Sequence, residues 1–200
     1  MYNNTFKIYK SFFKKIDFKL LQKEIDDHEN KNKAILQRKK MNLNLSGLNF
    51  MGINYNQLNK LLKQIYYFKQ LRKFFKSNII LNSCSVVNIN PSKVNYKRSG
   101  IWHRDVKYFN KNLYTDMLLL IVPVTDSLKI NGATKFKIKN KIYQPALFKR
   151  DLLVADARLL HKSGFNRTSK KRTIITICIT PPHIKPIYDF SKNNFKIQKT

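Results

Sequence analysis

A histidine and a carboxylate stand two positions apart in Ser99-Gly100-Ile101-Trp102-His103-Arg104-Asp105. Side chains at i and i+2 of an extended strand leave the same face, so His103 and Asp105 would be delivered side by side. The pair supplies two of the three protein ligands of a facial 2-His-1-carboxylate iron site, whose other positions stay open to small molecules. Taken alone, His-x-Asp is a weak signal, and a solvated pair near a strand end is its ordinary reading. A second histidine must come from elsewhere. The chain has 4 His in 200 residues, and His161 is the best placed. It follows Asp151-Leu152-Leu153-Val154-Ala155-Asp156, read as a strand running into a turn, and precedes Lys162-Ser163-Gly164, where it can face a cavity. His183, behind Pro181-Pro182, is the lesser candidate. His28, among Asp26, Asp27 and Glu29, could mimic a metal site but reads as a solvated helix end.

Eleven positions after His161, Arg172 opens the apolar run Thr173 to Thr180. A cation at the start of a buried strand needs an anionic partner, and the guanidinium fork suits a carboxylate. Arg104, between the two ligands, points to the opposite face and reads as a surface or ion-pair residue.

The elements that must position these groups can be read from apolar spacing. A helix is expected over 17–29 in a Lys-rich start. The strongest helix is expected over 55–76, where Leu58, Leu61, Leu62, Ile65, Phe68, Leu71 and Phe75 recur every three or four positions. Its other face carries Lys60, Lys63, Lys69, Arg72, Lys73 and Lys76. Strands are expected over 79–81, 85–90, 94–105, 113–124, 134–138, 152–155 and 173–180, with a turn at Asn131-Gly132. Helices first and short strands after, with no repeated βαβ, argue for α+β with a mainly antiparallel sheet or barrel. The reading is one domain: 1–78 mainly helical support, 79–180 the β core, 181–200 a basic tail.

Composition sets the class. A hydrophobic content of 42% with 14 Phe excludes a disordered chain. Net charge is +29, from 40 Lys plus Arg against 11 Asp plus Glu, and such a field attracts nucleic acid, acidic membrane surfaces or anionic small molecules. Cys84 and Cys178, each in an apolar run, read as buried free thiols of a reducing compartment. No secretory signal or bilayer-length apolar run is visible, so a soluble cytoplasmic protein is expected.

Four blocks in order carry a family resemblance. They are Trp102-His103-Arg104-Asp105, Asn131-Gly132-Ala133-Thr134-Lys135-Phe136, His161 after Asp-Leu-Leu-x-x-Asp, and Asn166-Arg167 followed by Arg172. Over about residues 84–180 the chain resembles the phytanoyl-CoA dioxygenase family of iron(II)/2-oxoglutarate oxygenases. The resemblance implies a double-stranded β-helix, a jelly-roll barrel with helices packed outside and a metal in its mouth. It implies that His103, Asp105 and His161 bind Fe(II) and that Arg172 pairs with the distal carboxylate of 2-oxoglutarate, O2 being the third reactant. Trp102 and Asn131 would lie close to the cavity, with no role fixed for either. The expected activity is hydroxylation of a small organic molecule with release of succinate and CO2. Two departures stand out: Lys137-Ile138-Lys139-Asn140 replaces the family's proline-glycine-serine-histidine turn, and Arg150 replaces a common glycine. Two other readings remain beside this one, a basic module binding nucleic acid or an acidic polymer, and an inactive barrel of the same fold.

Overall fold

The computed structural model describes residues 4–38, 46–49, 55–76, 79–91, 100–105 and 117–181. Most of the strand expected over 94–105, and the basic tail beyond 181 with His183, lie outside them.

A large antiparallel sheet organises the molecule. It takes in β1 (Phe6–Tyr9), β2 (Ser46–Asn49), β3 (Ile80–Ile89), β4 (Leu118–Pro123), β7 (Leu152–Asp156) and β9 (Arg172–Thr180). Their spatial order is β1-β7-β4-β9-β3-β2. A smaller antiparallel sheet has the order β6-β5-β8, from β5 (Lys135–Ile138), β6 (Lys141–Tyr143) and β8 (Leu160–Lys162). Both sheets are antiparallel and helices are few, in line with the α+β expectation.

The period-2 alternation of the strands sorts the core into two layers. Leu118, Leu120, Val122, Leu152, Val154, Ile175, Ile177 and Ile179 leave one face of the large sheet and meet the helices. Leu119, Ile121, Leu153, Ala155, Ile174 and Cys178 leave the other and meet Phe136 of the small sheet. Each fully buried aliphatic or aromatic side chain of this kind contributes on the order of 1.5–3 kcal/mol.

The helices are α1 (Phe18–Arg38), α2 (Asn56–Tyr66) and α3 (Lys69–Phe75). Asp17 caps α1, its Oδ1 accepting from the Lys19 and Leu20 amides. Tyr55 gives α2 no side-chain cap; Glu24 of α1 supplies one, accepting from the Gln57 and Leu58 amides at 2.8 and 3.1 Å. The continuous helix expected over 55–76 is broken at Tyr67-Phe68. The break lets the Phe68 ring meet Tyr9 and Phe12 edge-on at 4.8 and 4.7 Å, an aromatic cluster that tethers the N-terminal segment. The basic residues on the other face of α2 and α3 are exposed, a solvated surface.

Two strands fall where helical support was expected. β1 pairs with β7 and β2 pairs with β3, so the first 78 residues supply both edges of the large sheet. His28 also departs from expectation. It lies within α1, largely buried, its ring edge-on to Tyr55 at 6.0 Å. Burial outweighs the neighbouring Glu29 and holds its pKa below the ordinary histidine value. None of the helices among the described residues is long and apolar enough to cross a membrane.

Candidate metal centre

His161 follows a strand and a turn, as its sequence context suggests, and lies in a further short strand. β7 stops at Asp156, whose carboxylate takes the Arg158 amide at 2.8 Å while its carbonyl takes the Leu159 amide at 3.0 Å. This tight turn, held also by the Arg158–Asp156 ion pair at 2.6 Å, sends the chain back as β8 with His161 in its middle. His161 is the register partner of Phe136 in β5 and faces the large sheet with it.

On its other side His161 pairs with His103 through an isolated antiparallel bridge. Each amide donates to the other's carbonyl, at 3.0 and 2.9 Å. The two imidazoles are thereby brought to a centroid separation of 4.3 Å. Asp105 closes the group. Its Oδ1 is 3.6 Å from His103 Nε2 and its Oδ2 is 3.7 Å from His161 Nε2. His103, Asp105 and His161 offer ligand atoms that all lie within 4.8 Å of one another.

The protons in this group are assigned by its neighbours. His103 Nδ1 lies 2.8 Å from the Ile101 carbonyl and His161 Nδ1 lies 2.9 Å from the Leu159 carbonyl. A carbonyl only accepts, so both Nδ1 atoms carry a hydrogen, and Nε2 is in each ring the nitrogen left to bind a metal. Both Nε2 atoms face the Asp105 carboxyl group. Burial holds the His161 pKa below the ordinary value, against the Asp105 charge and together with His103, which favours the neutral imidazole. Two imidazole nitrogens and a carboxyl group that converge in this way can share one cation. Backbone carbonyls bonded to the outer ring nitrogen are a common support of metal-binding histidines. The donor set is therefore of the kind a divalent transition metal takes, and its nitrogen and oxygen atoms suit iron.

Arg172 opens β9 on the same face as Ile174 and Cys178, the face turned to the small sheet. Its side chain is 1% exposed. Nη1 donates to Ser127 Oγ at 2.8 Å, whereas Nε and Nη2 find no hydrogen-bond partner among the described residues. Burial lowers its pKa from 12.5 to about 10, so it stays charged at neutral pH. Nε and Nη2 lie on one edge of the guanidinium and point in parallel, the pair that grips a carboxylate with two bonds. Sequence reasoning did not find Ser127, which lies 45 positions away with no local signal.

A partly exposed strip, or trough, on that face was also missed. β9 has neighbours on both sides, yet Thr176 is its one residue that is not buried. Ser85 opposite it, and Ser83 and Val87 on the same side of β3, keep partial exposure too. The available signal was the alternation of small polar residues with buried ones in Ser83-Cys84-Ser85-Val86. Trp102 stands next to His103 under the Lys162 ammonium, 4.9 Å from its ring centre. Asn131 is engaged in its own turn, accepting from the Leu128 amide and donating to the Asp126 carbonyl, both at 2.7 Å. Arg104 donates through Nε to the Arg158 carbonyl at 3.0 Å, away from the ligands. Cys84 and Cys178 are free and buried, one in each core layer. Burial pushes the Cys84 thiol up to about 12; burial, with the Asp105 charge, raises Cys178 as well.

No protein-family model matches the chain, and no curated protein matches it in sequence. Solved structures do resemble it. The epimerase SnoN, in complex with Fe3+, alpha ketoglutarate and nogalamycin RO, superposes with a TM-score of 0.67 at 11% identity, covering 98% of this chain and 86% of SnoN. The non-heme alpha ketoglutarate dependent carbocyclase SnoK gives 0.59 at 10% identity, over 84% of this chain and 80% of SnoK. AviO1 from Streptomyces viridochromogenes gives 0.58 at 16% identity, over 84% and 86%. The chain shares their fold.

Proposed function

We propose that the protein is a non-haem Fe(II)/2-oxoglutarate-dependent oxygenase acting on a small organic molecule. The observation that carries the reading is the convergence of two Nε2 atoms and the Asp105 carboxyl group, with both imidazoles fixed from behind by backbone carbonyls. The orphaned Nε and Nη2 of Arg172 support it, as does the fold shared with SnoN and SnoK. On this reading the two facing sheets are the core of a double-stranded β-helix, the small sheet covering the mouth. The four sequence blocks support kinship with the phytanoyl-CoA dioxygenase family.

When bound, iron and 2-oxoglutarate would supply, with O2 as the oxidant, oxidative decarboxylation to succinate and CO2 coupled to hydroxylation of a C–H bond, one oxygen atom going to succinate and the other to the product. The chain's own residues do the rest. His103, Asp105 and His161 would hold the metal. Arg172, aimed by Ser127, takes the distal carboxylate of the co-substrate and so fixes its orientation. Phe136, fully buried with its ring centre 5.8 Å from that of His161, keeps water from the back of the site. Thr176, Ser83 and Ser85 offer hydroxyls along the trough, where a substrate needs positioning.

The experiment is an anaerobic titration with Fe(II) and 2-oxoglutarate, following the weak visible charge-transfer band of the chelate. The expected result is a band absent in His103→Ala. A folded protein that gives no band would overturn the proposal and favour the basic binding module.

A further inference from the structure

A second concavity lies on the opposite face of the small sheet from the three ligands. Phe136 and His161 are register partners that face the large sheet, so the adjacent pair Lys135 and Lys162 faces away from it. On that outer face a cavity of about 370 Å³ is lined by Lys129, Ile130, Lys135, Gln144, Phe165 and Arg167. Its volume is that of a small-molecule site. Lys129, Lys135 and Arg167 line it together, and no acid lines it among the described residues. None of these cations takes part in an ion pair among the described residues. Beside them the cavity presents apolar surface: Ile130 is 58% exposed and Phe165 is half-buried.

The walls are held by main-chain geometry. The Arg167 amide donates to the Ile130 carbonyl at 2.8 Å, and Gly164 donates to the Gly132 carbonyl at 3.1 Å. Gln144 Nε2 donates to the Ala133 carbonyl at 2.9 Å, which leaves its own oxygen as the acceptor at the rim. Three like charges brought together repel, and a multiply charged anion relieves all three at once. An exposed isoleucine and a phenylalanine ring add a place for an apolar or flat group.

We propose that this cavity binds an organic di- or triphosphate carrying a flat apolar group, a nucleotide being the simplest case. The phosphates meet Lys129, Lys135 and Arg167; the ring lies against Ile130 and Phe165; the Gln144 oxygen accepts from an exocyclic amine. The site is separate from the metal centre and does not depend on the activity proposed for it.

The test is isothermal titration of the full chain in chelator, so that the metal centre takes no part, with ATP, inorganic triphosphate and adenosine in turn. ATP should bind one to one, inorganic triphosphate at least ten-fold more weakly, and adenosine not measurably. Lys135→Ala/Arg167→Ala should weaken ATP at least ten-fold with melting temperature and circular dichroism unchanged. Lys60→Ala/Lys63→Ala, on the exposed face of α2, should leave its affinity as in the wild type. The proposal is overturned if wild-type protein does not bind ATP, or if both double variants lose affinity equally, which would make the binding a property of the general positive field. It is overturned as well if inorganic triphosphate binds as tightly as ATP.

Discussion

Replacing Arg172 by methionine should make the ligand-free protein more stable and the co-substrate unable to bind. The guanidinium is 1% exposed, has one hydrogen bond, to Ser127, and leaves Nε and Nη2 unmatched. Burial lowers its pKa from 12.5 to about 10. At 1.36 kcal/mol per pH unit, that fall corresponds to a cost of roughly 3 kcal/mol for holding the charge in the folded protein. The folded value is the lower one, so both states are charged at neutral pH and the cost is present in full there. It fades only as pH rises through about 10 toward 12.5. Methionine keeps most of the stem but strands the Ser127 hydroxyl, at about 1 kcal/mol, and leaves a small void, at about 1 kcal/mol more. The balance is a gain of about 1 kcal/mol, or roughly 2–4 °C in melting temperature for a chain of this size. The effect on 2-oxoglutarate runs the other way. Loss of two charge-assisted hydrogen bonds, about 1.5–3 kcal/mol each, should weaken binding by roughly two to four orders of magnitude. Anaerobic calorimetry, with and without Fe(II) and 2-oxoglutarate, reads both quantities: wild type gains stability from the ligands and Arg172→Met does not. The reasoning fails if the variant melts several degrees lower, like an ordinary core deletion, and still binds 2-oxoglutarate as tightly as the wild type.

Other expectations follow from the same geometry. His161→Ala should reduce Co(II) affinity at least a hundred-fold, read by the visible d–d bands, since it removes one of three ligands. Nitrogen-15 shifts of the metal-free protein at neutral pH should report His161 as the neutral Nδ1–H tautomer; a protonated or Nε2–H ring would contradict the bond to the Leu159 carbonyl. Gly132→Ala should cost several kcal/mol by chemical denaturation, because φ is +86° and a Cβ there would lie 2.7 Å from the Gly164 oxygen and 3.0 Å from the Phe165 carbonyl carbon. Asp151 is pulled two ways. Burial raises its pKa, but bonds from Lys10 and from the Phe148 and Ser11 amides outweigh it and hold it below 3.8. Its contribution is thus present above about pH 4 and lost as pH falls through the lowered value, so Asp151→Asn should flatten the loss of stability on acidification.

The clustering of His103, Asp105 and His161 was legible because it is built from local signals, a His-x-Asp and a histidine after an apolar strand. Arg172 was legible because a lone cation opening an apolar run has few uses. What stayed hidden is held by distant contacts. Phe68 reads as one more apolar position in a long helix; only Tyr9 and Phe12, far away in the chain, show why the helix stops there. Phe6-Lys7-Ile8-Tyr9 alternates correctly for a strand but is four residues long within a Lys-rich start, too short to outweigh its surroundings. The turn before His161 was legible in the sequence, but not that the chain returns from it as a strand, β8. Ser127 has no sequence signal toward Arg172 at all. The charge of +29 suggested an anionic partner without locating one, since charge by itself carries no geometry.

The strand order β1-β7-β4-β9-β3-β2 has a consequence for how the chain is made. β3 and β4 are successive in the large sheet's sequence but never touch; each waits for β9, which slots between them. As the ribosome delivers the chain from its N-terminus, the large sheet has no middle until residues 172–180 emerge, and its early strands must be kept from pairing wrongly until then. A nascent chain stalled before that point should remain sensitive to protease and be a client for chaperones, and one released beyond it should become resistant. The strand that completes the sheet also carries Arg172, so the anchor proposed for the co-substrate would arrive with the act of folding itself.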